Sequence, residues 1–343
     1  LAMALTGVAV ATLVFAAKGE VPELMAGPES ASTAVLCVMA ASLAATQAPG
    51  PGLVSTLAVT LALTGLTAGL ILALAARMRA GRWLRAVPFA IPAGIMAGAG
   101  YWLVRAAWDW ATGGHPFLPD LWAALTGASE AGVLDVLRRD ACTRAMAGLG
   151  LGLALLAGSR RFRHPLFLPL GALAATLAAH GVFWAKGLSL AQMAERGWLL
   201  PRVEPLTLFE TVLDAGHISW GAVLDQAGCM AALAGVLAAG TTLKSAALET
   251  ALGRDLDLDR TMSSLGQSNA VAALAGGLPA GLTLNRSLAA HGAGARGALA
   301  GITAGLLCAG ALLAASRLAP LAPTFVLAAL PVAHGLSLMS RWL

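Results

Sequence analysis

Three places in this chain put ionisable or hydrogen-bonding side chains beside or inside apolar runs. Such residues are rare in lipid unless they serve an ion or substrate path. The first is Gly27-Pro28-Glu29-Ser30, which opens an apolar run. Proline at a first helical position with polar neighbours marks a helix N-terminus. With Lys18 and Glu20 just before it, this is either a helix starting at the membrane surface or a half-helix starting at mid-membrane and facing a cavity. The second is Gly276-Gly277-Leu278-Pro279-Ala280-Gly281-Leu282-Thr283-Leu284-Asn285-Arg286-Ser287. Its Gly/Pro cluster breaks an apolar stretch, and the short run after it rises only about 14 Å as helix. That is too little to span, so the break belongs inside the membrane, where irregular backbone is tolerated only if it lines protein or a cavity. Free N–H groups and the positive helix end there make an anion site. Arg286 adds a permanent charge and a bidentate fork, unless it snorkels to the interface. The third is Lys244, with Thr241, Thr242 and Glu249, near the end of a long apolar run. Lys244 either anchors that helix end at the interface or faces the cavity.

Other chemistries lack their residues. The histidines, His115, His164, His180, His217, His291 and His334, are scattered without H-E-x-x-H spacing, and neither G-x-S-x-G nor a Walker loop occurs. Asp255, Asp257 and Asp259 alternate without the glycine and distal glutamate of a calcium loop, and read as a solvated turn. Cys37, Cys142, Cys229 and Cys308 form no C-x-x-C pair and read as packed small hydrophobes. The expectation is a non-enzyme without metal or prosthetic group.

The elements that must position these residues follow from composition. Of 343 residues, 58% are apolar and 11% are charged, against about 45–50% and about 25% in a soluble domain. Mean hydropathy is +0.78. These values exclude a disordered chain, a coiled coil and a typical cytosolic enzyme, and they require lipid as a solvent. A net charge of +5, scattered along the chain, excludes a nucleic-acid surface. Apolar segments fall at 1–17, 29–47, 53–76, 87–107, 141–158, 165–185, 221–248, 262–276, 283–291, 295–315 and 320–341. Of these, 29–47 is polar at its start and 283–291 is short. Close helix packing is expected at Gly65/Gly69, Gly94/Gly98 and Gly148/Gly152. The chain begins inside an apolar run and ends just after one, which predicts a fragment lacking sequence at both ends.

Charge orders these spans. Arg77, Arg79, Arg82 and Arg85 lie in one connection, and Arg160, Arg161 and Arg163 in the connection two spans later, with no acid among either group. Both are cytoplasmic by the positive-inside rule. The connections 108–140 and 186–220 are richer in acids and belong outside, as loops that could hold amphipathic helices. Trp108, Trp110, Trp122, Trp184, Trp198, Trp220 and Trp342 lie near segment ends, as an interfacial belt requires.

On these residues the chain resembles the sulfate permease (SulP) family of anion transporters, which includes prestin. The most specific stretch is 253–301: Gly-Arg-Asp-Leu-Asp-Leu-Asp-Arg-Thr-Met-Ser-Ser-Leu-Gly-Gln-Ser-Asn, then Gly-Gly-Leu-Pro, Leu-Asn-Arg-Ser and Gly-Ala-Arg. Ala26-Gly27-Pro28-Glu29-Ser30 and Pro92-Ala93-Gly94-Ile95-Met96-Ala97-Gly98-Ala99-Gly100 also fit the family pattern. The details look most like the bacterial and fungal branch that often carries a C-terminal cyclic-nucleotide-binding domain. The resemblance implies an all-α polytopic membrane fold of seven-plus-seven inverted repeats, truncated here to about segments two to twelve. It implies a core domain of 1–76 and 221–315, a gate domain of 87–185 and 320–343, and an extracytoplasmic loop at 186–220. The substrate would sit between the half-helix starts, with Arg286 recognising its charge and Glu29, Ser30, Thr283, Asn285 and Ser287 supplying hydrogen bonds.

Two departures from the family pattern matter. Glu29 puts a carboxylate where an anion should meet only positive dipole, so it either pairs with Arg286 or is protonated during coupling. Many family members carry an acid midway along segment eight, where this chain has Thr241, Thr242 and Lys244, with Glu249 the nearest acid. Lys244 and Glu249 are therefore the coupling candidates. The expected activity is elevator-type secondary transport of a small anion across a bacterial inner membrane, of the sulfate, bicarbonate or dicarboxylate class. A proton or sodium ion would be the coupling ion, and family members are often dimers through parts outside this chain. The alternatives are transport of a zwitterionic or cationic amino acid, an uncoupled anion channel, and a sensor that no longer transports.

Overall fold

Lipid offers backbone no hydrogen-bond partner, so each apolar run satisfies its own N–H and C=O groups by coiling into a helix. The computed structural model describes residues 2–19, 24–48, 50–88, 90–112, 126, 140–162, 164, 166–200, 215–292, 294–295 and 297–342. The elements, in chain order, are α1 (Ala2–Lys18), β1 (Ala26–Gly27), α2 (Ser30–Thr46), α3 (Pro51–Arg77), α4 (Gly81–Ala86) and α5 (Ala90–Thr112). Then follow α6 (Asp140–Phe162), α7 (Phe167–Ala185), α8 (Leu190–Glu195), α9 (Trp220–Asp225), α10 (Ala227–Leu252), α11 (Leu258–Leu274), β2 (Gly281–Leu282), α12 (Leu284–Gly292), α13 (Leu299–Leu318) and α14 (Thr324–Trp342). Each predicted apolar segment contains helix. Pro51–Arg77, Asp140–Phe162, Phe167–Ala185 and Trp220–Leu252 are long and apolar enough to cross a membrane on their own.

The apolar run 221–248 lies within the span Trp220–Leu252, which turns at Gln226 between α9 and α10. The segment 262–276 has an exposed apolar side at Val271 and Leu274 and a polar side covered by protein. In α11 Ser264, Ser268 and Asn269 are buried, and their side chains bond to the carbonyls of Arg260, Ser264 and Leu265. Neighbouring protein, not lipid, covers them.

The chain divides into two compact units. The first comprises Leu1–Ala99, Pro205–Ala315 and Trp342–Leu343. Its centre is α11 packed along α3 on a seam of small residues. A Cβ on Gly69 would stand 2.7 Å from the Gly266 carbonyl, a Cβ on Gly266 would stand 2.7 Å from the Gly69 carbonyl, and one on Gly65 would stand 2.9 Å from Ala273 Cβ. Around this seam Phe15, Met39, Leu72, Leu237, Met262 and Leu265 form the buried core. Hydroxyls inside α3 are satisfied locally: Thr60 donates to Thr56 O and Thr64 to Thr60 O, both at 2.6 Å. Gly94 and Gly98 differ from the other glycine pairs: among the described residues a Cβ on either meets nothing within 4 Å.

The second unit comprises Gly100–Glu204 and Ser316–Arg341. The predicted Gly148/Gly152 contact is present, with α14 as partner. A Cβ on Gly148 would stand 3.1 Å from the Phe325 carbonyl, and one on Gly152 would stand 2.8 Å from a Val332 methyl. The described part of the 186–220 connection holds the short helix α8, opened by a capping box of Ser189 and Gln192. Its far end docks on the start of α14: Thr324 N donates to Trp198 O at 2.9 Å, and Thr324 Oγ1 to Gly197 O at 2.8 Å. Most of the 108–140 loop, with His115 and Trp122, lies outside the described residues, as do Arg163 and Arg296.

Candidate functional site

The two helix starts singled out in the sequence, at 27–30 and 276–287, meet. β1 pairs antiparallel with β2, Ala26 opposite Leu282 and Gly27 opposite Gly281. One helix leaves each strand: α2 starts at Ser30 and α12 at Leu284. Broken backbone inside a membrane protein must find partners elsewhere, and here it does. Thr283 N donates to Met25 O at 2.9 Å, extending the ladder. Thr12 Oγ1 donates to Ala26 O at 2.8 Å, and Leu278 N to Met3 O at 3.1 Å. Asn269 of α11 acts as a substitute strand: its Oδ1 accepts from Ala280 N at 2.7 Å and its Nδ2 donates to Ala280 O at 2.9 Å. Gly276, at φ 74, releases the chain from α11 into this segment.

Glu29 is the N-cap residue of α2, two positions later than a helix opening at Pro28 would have it, and its side chain makes no cap hydrogen bond. The carboxylate is instead buried and ion-paired with Lys244 Nζ of α10. Of the two alternatives for Glu29, pairing with Arg286 is not the arrangement present, in which Lys244 takes the carboxylate. Two glycines make the room: a Cβ on Gly240 would stand 2.7 Å from Glu29 Oε1, and a Cβ on Gly281 would overlap Oε2. Neither carboxylate oxygen receives a hydrogen bond of regular geometry, so the Lys244 ammonium is the compensation the carboxylate has among the described residues. The Lys244 side chain is 13% exposed and turned onto Glu29.

Arg286 reaches from α12 back to the start of α2. Its Nη2 donates to Pro28 O at 2.9 Å, and the guanidinium lies over Gly27, where a Cβ would stand 2.8 Å from Nη1. The side chain stays exposed. The backbone N–H groups of Ser30, Ala31 and Ser32, in the first turn of α2, donate to no described group. The positive end of a helix and a guanidinium thus lie side by side. Ser30 is half-buried and Asn285 exposed in the same region.

The remaining predicted residues go elsewhere. Thr283 and Ser287 are buried, and their hydroxyls fasten the two breaks together. Thr283 Oγ1 donates to Met25 O at 2.8 Å, while Ser287 Oγ accepts from Met25 N at 3.0 Å and donates to Thr283 O at 2.7 Å. Glu249 is not brought to Glu29 or Lys244. It pairs with Arg85 at 2.5 Å and accepts from Leu256 N at 3.0 Å, holding the turn after α10 that Gly253 opens at φ 65. In the same turn Asp257 caps α11 through Arg260 N, and Asp259 accepts from Gly81 N at 2.7 Å. The sequence reading missed Asn269 and the pair Gly240/Gly281. The available signals were an amide in the middle of an apolar segment and a glycine one helical turn before Lys244.

Comparison with known proteins agrees with this architecture. The model of the sulfate permease family matches residues 1–342. A search of curated proteins gives no match. Among solved structures, the transmembrane domain of a cyanobacterium bicarbonate transporter, BicA, superposes with a TM-score of 0.68 at 18% identity, over 98% of this chain and 80% of that one. Murine Solute Carrier 26 family member A9, an anion transporter in its inward-facing state, superposes with a TM-score of 0.67 at 14% identity, over 99% of this chain and 58% of that one. A further structure of SLC26A9 gives 0.62 at 15% identity, over 99% and 56%. The chain thus spans four-fifths of the first and under three-fifths of the other two, and at these identities the likeness is one of fold. With the family model covering nearly the whole length of an all-α polytopic membrane fold, the chain belongs to the sulfate permease family.

Proposed function

We propose that this protein is a secondary active transporter that moves a small anion of the sulfate, bicarbonate or dicarboxylate class across a bacterial inner membrane. The site is the start of α2 with Arg286 beside it. One observation carries this choice: the Glu29 carboxylate is withdrawn and paired with Lys244, while the Arg286 guanidinium remains exposed. Glu29 was the reason to consider a cationic or zwitterionic substrate. With its charge cancelled, the uncompensated formal charge among these three residues is positive. An incoming oxyanion meets the first-turn N–H groups of α2 and a fork of guanidinium donors, and both favour a negative ligand. Release on the other side would follow elevator-type movement of the site-bearing unit, the mechanism that membership of the family suggests.

The test is uptake by the purified protein in proteoliposomes of radiolabelled sulfate, bicarbonate, a dicarboxylate and a basic amino acid. Saturable anion uptake with counterflow is expected, falling by about tenfold or more in Arg286→Ala as a charge-assisted contact is lost. Linear, non-saturating anion conductance would favour a channel. Uptake of the basic amino acid that depends on Glu29 would overturn the anion reading.

A further inference from the structure

The buried Glu29–Lys244 pair lies at the start of α2, next to the proposed anion site. Its two members come from different helices and are held by the room that Gly240 and Gly281 leave. A charge pair beside a binding site acts on a ligand through its sum. As built, that sum is zero, and Arg286 remains as the one uncancelled formal charge among these side chains. The helix ends add partial charge, and they do so whichever residues occupy positions 29 and 244. Changing one member of the pair therefore changes the fixed charge of the site by one unit without touching the groups that contact the anion.

We infer that Glu29 and Lys244 are specificity-determining residues that set the charge of the site, and with it the ratio in which doubly and singly charged anions are transported. Neither is a ligand in this proposal. Removing the carboxylate frees the Lys244 charge and raises the site's charge by one, while removing the ammonium does the reverse. A doubly charged anion feels each change twice as strongly as a singly charged one, because Coulomb energy scales with the product of charges. The inference rests on the anion-transporter reading.

The experiment measures uptake in proteoliposomes of two singly charged anions, bicarbonate and formate, and two doubly charged ones, sulfate and succinate. Wild type stands beside Glu29→Gln, Lys244→Gln and the double variant. Glu29→Gln should shift the ratio of doubly to singly charged uptake upward by about tenfold, allowing for screening by water and salt. Lys244→Gln should shift it downward, and the double variant should return it to the wild-type value. If both single variants lower all four fluxes equally, the pair is only structural and the inference fails. If either single variant does not reach the membrane, the double variant decides: a wild-type ratio supports charge setting and a changed ratio overturns it. Absence of uptake of all four anions by the wild type would instead count against the anion-transporter reading itself.

Discussion

At the start of α2 the chain places a carboxylate and holds it with an ammonium from α10. At the start of α12 it places hydroxyls and holds them with backbone from the first break. The two helices follow the same backbone plan: a two-residue strand and then a helix N-terminus, with the strands paired to one another. The fastenings differ in kind. The first is electrostatic and depends on a third helix, whereas the second is a set of neutral hydrogen bonds backed by the Asn269 amide. The difference shows how one repeated device can serve two purposes. Charge at the first break can be altered without undoing the backbone pairing, while the second break keeps the pairing in register and presents Arg286 from a fixed base.

A large effect is expected from this contrast at Lys244. Lys244→Met leaves the Glu29 carboxylate buried with no compensating charge among the described residues, and breaking a buried pair from one side costs about 3–5 kcal/mol. Thermal melting of the detergent-solubilised protein should show it. Glu29→Gln together with Lys244→Met should recover most of the loss, because a neutral polar and an apolar side chain carry no orphaned charge. A double variant as unstable as Lys244→Met would mean that the break needs the ion pair itself and not merely the absence of an unpaired charge.

At the second break the comparable test is Asn269→Ala. Ala280 is buried, and it would lose partners for both its N–H and its C=O. At about 1–3 kcal/mol for each of the two orphaned groups, a loss of roughly 2–6 kcal/mol is expected. No second-site change should restore it, since both orphaned groups belong to the backbone. That lack of rescue is what separates the two fastenings. A compensating partner for Asn269→Ala, found by suppressor selection within α11, would erase the distinction.

Much of this was legible in the sequence, for identifiable reasons. Span positions follow from runs of apolar residues, and the break at Gly276–Pro279 from residues that cannot continue a helix. Arg286 stood out as a charge just past that break. The pairing of Glu29 with Lys244 was not legible, because it joins residues distant in the chain across a gap whose width is set by Gly240 and Gly281. Periodicity carries no information about such a contact. The β1–β2 ladder was invisible because two residues are too few to show alternation. Thr283 and Ser287 have the residue types of a ligand shell. Whether their hydroxyls face a ligand or the protein's own backbone depends on where Met25 lies, and only the folded chain places Met25 against α12.

Ser287 gives the smallest of these effects and the finest test of the comparison. Its Oγ is the acceptor for Met25 N, whose neighbouring carbonyl is already held by Thr283 through both N–H and hydroxyl. Ser287→Ala leaves a buried N–H without its acceptor but leaves the Met25 carbonyl and the strand ladder intact. The expected cost is about 1–2 kcal/mol, in the range for one lost neutral hydrogen bond and an orphaned donor. Anion uptake should keep its substrate ratio, because the hydroxyl faces protein backbone and carries no charge. Ser287→Thr keeps the hydroxyl and should hold stability closer to wild type if its extra methyl is accommodated. A selective loss of affinity for one anion in Ser287→Ala, with stability unchanged, would show that this hydroxyl turns to the substrate during transport. It would then place the second break, like the first, in the business of recognising charge.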